Sequence, residues 1–223
     1  MKIFTEVDDF LGKKVYRDKR LEKLKERFNP KKISFVSLEL TNQNINYCDC
    51  IVTSQDKIID LIIQDLDKAE FLLNKLPHDN ILKKVIDSLG KEEPLSSHLS
   101  KEELDAIKEY AFLTSKPIVI LKDSSLDSII ENIIKITSHI SFFTVNKNEA
   151  RAWLIEDGTN IVEAASKIHT DLARGFIRAE IYNISQLDNF KNPEEAKSKG
   201  ILKIVNRDYI VQEGDVVNIK FKV

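Results

Sequence analysis

The chain has 223 residues, with 34 Lys and Arg against 36 Asp and Glu, which gives a formal net charge of −2. This balance argues against binding to nucleic acid or to an anionic membrane through overall charge, although a local basic patch is still compatible with it. No apolar run reaches the roughly 18 residues that span a bilayer. The acidic N-terminal sequence lacks the apolar core of a signal peptide. Cys48 and Cys50 are interpreted as free thiols in a reducing compartment, so we expect a cytoplasmic protein.

The N-terminal 56 residues predict one helix followed by two strands. Apolar residues recur at helical spacing over 17–28, and Pro30 ends that helix. The β-rich stretches 33–40 and 47–52 predict the strands.

The middle of the chain predicts an antiparallel helical hairpin. Six apolar residues in 57–76 recur at spacings of three and four, as in a coiled-coil seam, and a second amphipathic segment over 82–89 is closed by Gly90. Ser100 and Glu103 then form a capping-box pattern, which predicts a helix to about residue 113.

The rest of the chain predicts a strand at 117–121, a helix from residue 126, and then a small domain of several strands around one helix. In that domain Asn160 begins the helix and Gly175 follows its end. The predicted strands are 150–155, 176–181, 201–205, 209–211 and 216–223. This arrangement indicates a small β-grasp.

A search for catalytic motifs gives negative results. A P-loop requires Gly-x4-Gly-Lys-[Ser/Thr], and none of the six glycines fits it. The Asp-x-x-Gly patterns that end at Gly12 and Gly90 do not follow a buried strand. Asn146-Lys-Asn-Glu only mimics a guanine-reading loop. The four histidines lack the spacing of metal ligands. The sequence therefore predicts no catalytic residue, metal or cofactor.

Three C-terminal segments are specific enough to indicate a family. They are Ala150-Arg-Ala-Trp through Asp171, Arg174-Gly-Phe-Ile-Arg-Ala-Glu, and Asp208-Tyr-Ile-Val-Gln-Glu-Gly-Asp-Val. Together they closely resemble the C-terminal TGS domain of the YchF-type Obg-like ATPases, over about 145–223. Upstream, Leu113-Thr-Ser-Lys-Pro resembles a strand entry of that family, and 57–113 resembles its coiled-coil insertion.

The sequence departs from the family at each nucleotide-binding element. The P-loop expected near the N-terminus is absent. Thr41-Asn-Gln-Asn stands where the family has its metal-side motif, and Lys122-Asp-Ser-Ser stands where it has its adenine-reading motif. The resemblance therefore implies a truncated relative that lacks the P-loop.

The fold class implied is α+β in three parts. A truncated α/β G-domain remnant covers 1–56 and 114–144, and a helical hairpin is inserted at 57–113. A β-grasp, ubiquitin-like TGS domain follows at 145–223.

The leading functional hypothesis is a non-catalytic binding protein associated with the ribosome, RNA or a translation factor, as the resemblance implies. Lys167, His169, Arg174 and Arg178 are the predicted contact residues, although His169 could instead cap a helix end. One alternative is a nucleotide-binding protein with a remodelled site that uses lysines such as Lys13. Another is a regulatory protein that senses a small ligand.

Overall fold

The computed structural model describes residues 1–121 and 125–222, and the chain divides into two compact units. Unit 1 consists of Met1–Lys14 and Leu38–Thr137, and unit 2 consists of Val15–Ser37 and Ser138–Val223. Residues 15–37 group with the C-terminal residues rather than with the rest of the N-terminal part, and 57–113 lies inside unit 1.

The described residues form eleven strands and nine α-helices. The strands are β1 (Lys2–Thr5), β2 (Gly12–Tyr16), β3 (Lys32–Ser34), β4 (Val36–Thr41), β5 (Cys50–Thr53), β6 (Ile118–Ile120), β7 (His139–Val145), β8 (Glu149–Glu156), β9 (Phe176–Asn183), β10 (Lys203–Val205) and β11 (Asp215–Phe221). The helices are α1 (Lys19–Phe28), α2 (Gln55–Lys75), α3 (Asn80–Leu89), α4 (Leu95–His98), α5 (Lys101–Ala106), α6 (Leu126–Ile136), α7 (Ile161–Ile168), α8 (Thr170–Arg174) and α9 (Pro193–Ser198). Among the described residues, no helix is both long and apolar enough to cross a membrane.

Unit 1 is built on a five-stranded sheet with the strand order β2-β4-β1-β5-β6. β1 pairs in parallel with β4 and β5, and β5 pairs in parallel with β6. Every residue of β5 is buried, as expected for a parallel strand covered on both faces. Burial raises the pKa of the Cys50 thiol to about 12, so this side chain is an inert apolar filler.

The predicted pair of helices is present as α2 and α3. Apolar side chains from both helices form one buried cluster that includes Ile58, Ile62, Ala69, Leu82, Val85 and Leu89. The turn between the helices ends at Asp79, whose carboxylate accepts hydrogen bonds from the backbone N–H groups of Ile81 and Leu82 and so caps α3. The 3.6-residue period of the sequence therefore located the apolar face of both helices correctly.

A buried carboxylate that the sequence pattern did not single out fastens α2 to the segment before β6. Asp65 is 2% exposed. It accepts hydrogen bonds from the backbone N–H of Leu113 at 2.9 Å and from both the backbone N–H and the hydroxyl of Thr114 at 2.7 Å. The predicted capping box of Ser100 and Glu103 is confirmed, but its helix ends at Ala106 rather than near residue 113.

Unit 2 is built on a six-stranded mixed sheet with the order β10-β9-β11-β7-β8-β3. β7 and β8 are antiparallel, β9 is antiparallel to both β10 and β11, and β11 runs parallel to β7. The buried core of this unit joins α7 to the sheet. It includes Phe142, Ile155, Ile161, Ala164, Ala165, Ala179, Ile181 and Val217.

The segment 15–37 completes unit 2. Its strand β3 pairs in parallel with β8 at the sheet edge, and Leu21 and Leu24 of α1 are fully buried. Arg20 forms salt bridges with Asp18 and Glu213. The predicted single strand at 33–40 is wrong because the chain breaks it at Phe35 into β3 and β4, which belong to different sheets. The sequence did not predict this break because the whole stretch has a β-rich composition.

Two predicted C-terminal elements also differ. The predicted strand at 209–211 is a single bridge between Asn160 and Ile210. The predicted helix after Asn160 is interrupted at His169, where the backbone is extended, so α7 and α8 are separate helices.

Candidate partner-binding surface

The predicted contact residue His169 lies between α7 and α8 and has a local structural role. Its Nδ1 accepts a hydrogen bond from the backbone N–H of Asp171 at 3.2 Å, which caps α8. The ring is still 65% exposed. The alternative interpretation of His169 as a helix cap is therefore confirmed, and the ring is also accessible to a partner.

Arg174 and His169 are brought together by one carboxylate. Asp171 lies 2.9 Å from the Arg174 guanidinium and 3.5 Å from the His169 Nδ1. The Arg174 side chain is 70% exposed, so its charge is available at the surface. Lys167 is exposed in the last turn of α7, where a cation interacts favourably with the helix dipole.

Arg178 is exposed although it lies two residues after the buried Phe176. Strict alternation would bury Arg178 on the same face. The strand avoids this with a register shift, because Phe176 pairs with Phe221 while Arg178 pairs with Lys220. Ile177 is the extra residue of this bulge and is 56% exposed.

Gly175 allows the C-terminal end of the chain to lie directly against the start of β9. A Cβ built on Gly175 would stand 2.2 Å from the carbonyl oxygen of Lys222. The backbone N–H of Lys222 donates to the Gly175 carbonyl at 2.9 Å. The glycine of the Arg-Gly-Phe sequence is therefore explained by the close approach of the Gly175 and Lys222 backbones. Lys222 thus lies next to the residue that follows Arg174.

Three further basic residues join this region, and sequence reasoning missed them. Lys220 is directly opposite Arg178, Lys222 is bonded to Gly175, and Arg207 donates to the carbonyl oxygen of Phe176 at 3.2 Å. They come from two segments that lie far along the chain from Arg174, so only the strand register and the long-range contacts could have revealed them. We call the resulting set the C-terminal basic surface: Arg174, Arg178, Arg207, Lys220 and Lys222.

The C-terminal basic surface combines cations with exposed apolar groups. Phe221 is 46% exposed within it. Like charges directly opposite in a sheet are unfavourable, and Lys220 is partly compensated by Glu180 at 3.2 Å. Such a combination suits a polyanion whose backbone contacts Lys and Arg while flat groups stack on an aromatic ring.

In open α/β sheets, ligands bind outside the carboxyl ends of the strands. In unit 1 this edge carries acidic residues, in contrast to the basic residues of unit 2. Beyond β1 the chain presents Glu6, Asp8 and Asp9. Glu6 is paired with Lys57 at 2.7 Å, and the Lys14 ammonium donates to the Asp9 carbonyl at 3.0 Å.

The other motif positions of unit 1 are Thr41–Asn44 and 122–125. Thr41 is the last residue of β4, and its hydroxyl accepts a hydrogen bond from the backbone N–H of Gln43. The predicted loss of the adenine-reading motif falls on 122–125, of which 122–124 lie outside the described residues. Within the described part of the chain, no three His, Cys, Asp or Glu side chains are grouped to hold a metal ion.

Comparison with known proteins supports the resemblance seen in the sequence. Residues 139–222 match the family YchF-GTPase_C, described as a protein of unknown function (DUF933). The chain is 36% identical over 166 residues to the ribosome-binding ATPase YchF of Buchnera aphidicola subsp. Schizaphis graminum, covering 72% of this chain and 43% of that protein. It is 28% identical over 233 residues to the Obg-like ATPase homolog of Saccharomyces cerevisiae, covering 99% and 54%.

The fold is also similar to that of a solved structure. The Schizosaccharomyces pombe YchF GTPase superimposes with a TM-score of 0.79 at 17% identity, covering 96% of this chain and 88% of that chain. The chain spans between about a quarter and just under two thirds of the length of the curated relatives, with 27%, 43% and 64% of three of them covered.

Proposed function

Because the chain is a relative of the YchF and Obg-like ATPase family, we propose that it is a non-catalytic binding protein that associates with the ribosome or its RNA. The observation that carries the proposal is the C-terminal basic surface, whose five basic residues come from three segments of the chain that meet near Gly175. It lies in the unit that contains the region matched by the family model. Relatives of the chain are named ribosome-binding ATPases, which supports the ribosome as the partner.

In this proposal the C-terminal part of unit 2 is a β-grasp TGS domain. The support is the strand order β10-β9-β11-β7-β8, in which the first and last strands of the domain, β7 and β11, are parallel neighbours. The helix α7 packs on one face of that sheet. Segment 15–37 adds α1 and the edge strand β3 to this domain.

Unit 1 is proposed to be a G-domain remnant that does not hydrolyse nucleotide. Its parallel sheet supports the ancestry. The absence of a P-loop from these 223 residues, together with carboxylates beyond β1, supports the loss of activity. Phosphoryl transfer depends on positioning and on charge stabilisation by groups of that kind.

The second candidate function is nucleotide binding at a remodelled site in unit 1. The names of the relatives favour it, since they are ATPases. Lys13 and Lys14 on β2 would then contact phosphate. The two functions are separated by the shift in melting temperature that millimolar Mg-ATP causes, with a Lys13→Ala, Lys14→Ala variant as the control. The proposal predicts no shift in either protein and background phosphate release from both. A shift that the double variant loses would favour nucleotide binding, and turnover that it loses would contradict the non-catalytic assignment.

Ribosome association is tested by co-sedimentation of the full chain with purified ribosomes at several salt concentrations. We expect binding that weakens steadily as salt rises, because phosphate contacts release counterions. A chain that stays in the supernatant at the lowest salt concentration would contradict the proposed partner.

A further inference from the structure

A second candidate surface lies in unit 1, on the side of α2 that faces away from the buried core. The buried residues of α2 are Ile58, Ile62, Asp65 and Ala69. On the opposite side, steps of three and four residues bring five exposed side chains onto one helix face. This face extends over about 17 Å of the helix axis, at a rise of 1.5 Å per residue. We call it the α2 outer face: Asp60, Ile63, Asp67, Glu70 and Phe71.

The α2 outer face exposes two large apolar side chains. Ile63 is 50% exposed and Phe71 is 58% exposed, and they lie about 12 Å apart along the same side of the helix. The Lys75 ammonium stands 4.2 Å from the centroid of the Phe71 ring, which shows that the ring attracts a cation. Large apolar side chains in one exposed row are typical of a helix face that packs against a partner.

The charged residues of the α2 outer face are all acidic. Within the described part of the chain, Asp67 and Glu70 have no hydrogen bond or ion pair. They are three residues apart on the helix, and like charges at this spacing repel each other. A helix face that contacts only water commonly mixes charges of both signs. This face is therefore complementary to a cationic partner.

Two of the three lysines of α2 are bound to other segments of unit 1. Lys57 forms an ion pair with Glu6 at 2.7 Å, and this bond, with a smaller contribution from Asp60, raises the pKa of Lys57. The Lys68 ammonium donates to the Ala111 carbonyl at 3.1 Å. These cations therefore leave the carboxylates of the α2 outer face available to a partner.

We propose that the α2 outer face binds a basic amphipathic helix of another protein. Arg or Lys side chains of that helix pair with the carboxylates, and its apolar side chains cover Ile63 and Phe71. A helix fits because the face is one straight row, which a second helix can follow along its whole length. The carboxylates repel the phosphates of a nucleic acid. The inference goes beyond the proposed function, because it does not involve the C-terminal basic surface.

The test is calorimetric titration of the full chain with a synthetic helical peptide that carries Leu on one face and Arg on the others. Oligolysine of the same net charge, which lacks an apolar face, is the second probe. Asp67→Asn, Glu70→Gln removes two charges from the α2 outer face, and Phe71→Ala removes the ring. Asp87→Asn, Glu109→Gln removes two exposed charges elsewhere in unit 1 and is the charge-matched control.

We expect Asp67→Asn, Glu70→Gln to weaken binding of the Leu/Arg peptide about 3- to 30-fold, as the loss of two exposed ion pairs does. Phe71→Ala should weaken it about 5- to 30-fold, as the loss of an aromatic anchor does. The charge-matched control should bind as the wild type does. Oligolysine should bind more weakly than the peptide, and its binding should not change with Phe71→Ala. Every substituted side chain is exposed, so all variants should keep the melting temperature of the wild type.

Three outcomes would overturn the inference. One is that the Leu/Arg peptide does not bind. Another is that the charge-matched control loses as much affinity as Asp67→Asn, Glu70→Gln, because the attraction would then come from the overall charge of unit 1. The third is that oligolysine binds as tightly as the Leu/Arg peptide, because the exposed apolar side chains would then contribute nothing. If Phe71→Ala alters the fold, the two carboxylate variants and the two probes still decide the question.

Discussion

Units 1 and 2 have similarly buried cores but differ in the groups at their candidate binding edges. Unit 1 packs its parallel sheet around the fully buried β5, yet presents Glu6, Asp8 and Asp9 beyond β1. Unit 2 packs its sheet against α7 and carries five basic residues on the three segments that meet near Gly175. The two units therefore differ in the charged residues at their edges, although buried apolar side chains hold both together.

The largest expected effect tests whether the core of unit 1 is held as the structure shows. Asp65→Ala leaves the buried N–H groups of Leu113 and Thr114 without an acceptor, so we expect the free energy of unfolding to fall by about 3–5 kcal/mol. Urea unfolding followed by far-UV circular dichroism measures the change.

A matched control is available on the same helix. Asp67→Ala removes an exposed carboxylate and should change the stability by less than about 0.5 kcal/mol. If the two variants unfold at the same urea concentration, Asp65 is not the fastening residue of unit 1.

The second prediction tests whether the C-terminal end of the chain packs against the start of β9 in unit 2 as the structure shows. Gly175→Ala places a Cβ against the Lys222 carbonyl, so the end of the chain must move away from β9. We expect a loss of about 1–3 kcal/mol, as for overpacking in a core. Trp153, the sole tryptophan, lies on β8 and reports the unfolding of this unit by fluorescence.

Lys222→Ala serves as the control, because it keeps the backbone carbonyl and should leave the stability within about 0.5 kcal/mol of the wild type. A wild-type unfolding midpoint for Gly175→Ala would mean that the two backbones do not approach as closely as described.

The third and smallest effect tests whether segment 15–37 belongs with unit 2. The Ser34 hydroxyl donates to Glu149, and this bond together with the nearby Lys32 lowers the pKa of the Glu149 carboxyl. A lowered pKa in the folded state contributes stability above the unfolded pKa, and this contribution is lost as the pH falls through the folded pKa. Glu149→Gln should therefore cost about 0.5 kcal/mol at neutral pH.

The pH dependence provides the internal control for that variant. The difference between wild type and Glu149→Gln should shrink as the pH falls through the lowered folded-state pKa of Glu149, below which the carboxyl is protonated in both states. A difference that stays constant with pH would indicate that the carboxylate does not stabilise the pairing of β3 with β8.

Much of the fold could be predicted from the sequence where a local pattern decides the structure. The apolar period located α2 and α3, and Ser100 and Asn160 marked helix starts that the structure confirms. The break at Phe35 could not be predicted, because residues 33–40 have one continuous β-rich composition and only tertiary pairing assigns them to two sheets.

The candidate surface was predictable only in part. Arg174 and Arg178 stand in a recognisable motif, so they were found, but Arg207 and Lys220 reach them through strand register and backbone contact. The bulge at Ile177 also escaped prediction, because it changes the alternation that a strand pattern assumes. Long-range register is set by the whole sheet and not by neighbouring residues.

The salt dependence of RNA binding by a charge-matched pair of variants tests the central claim most directly. Arg174→Ala, Arg178→Ala removes two cations from the C-terminal basic surface, whereas Lys23→Ala, Lys25→Ala removes two exposed cations from α1 of the same unit. The account predicts that the first variant weakens binding to ribosomal RNA and lowers the slope of log affinity against log salt by about two. The second should leave both unchanged. Equal losses in the two variants, or no loss in the first, would contradict the account.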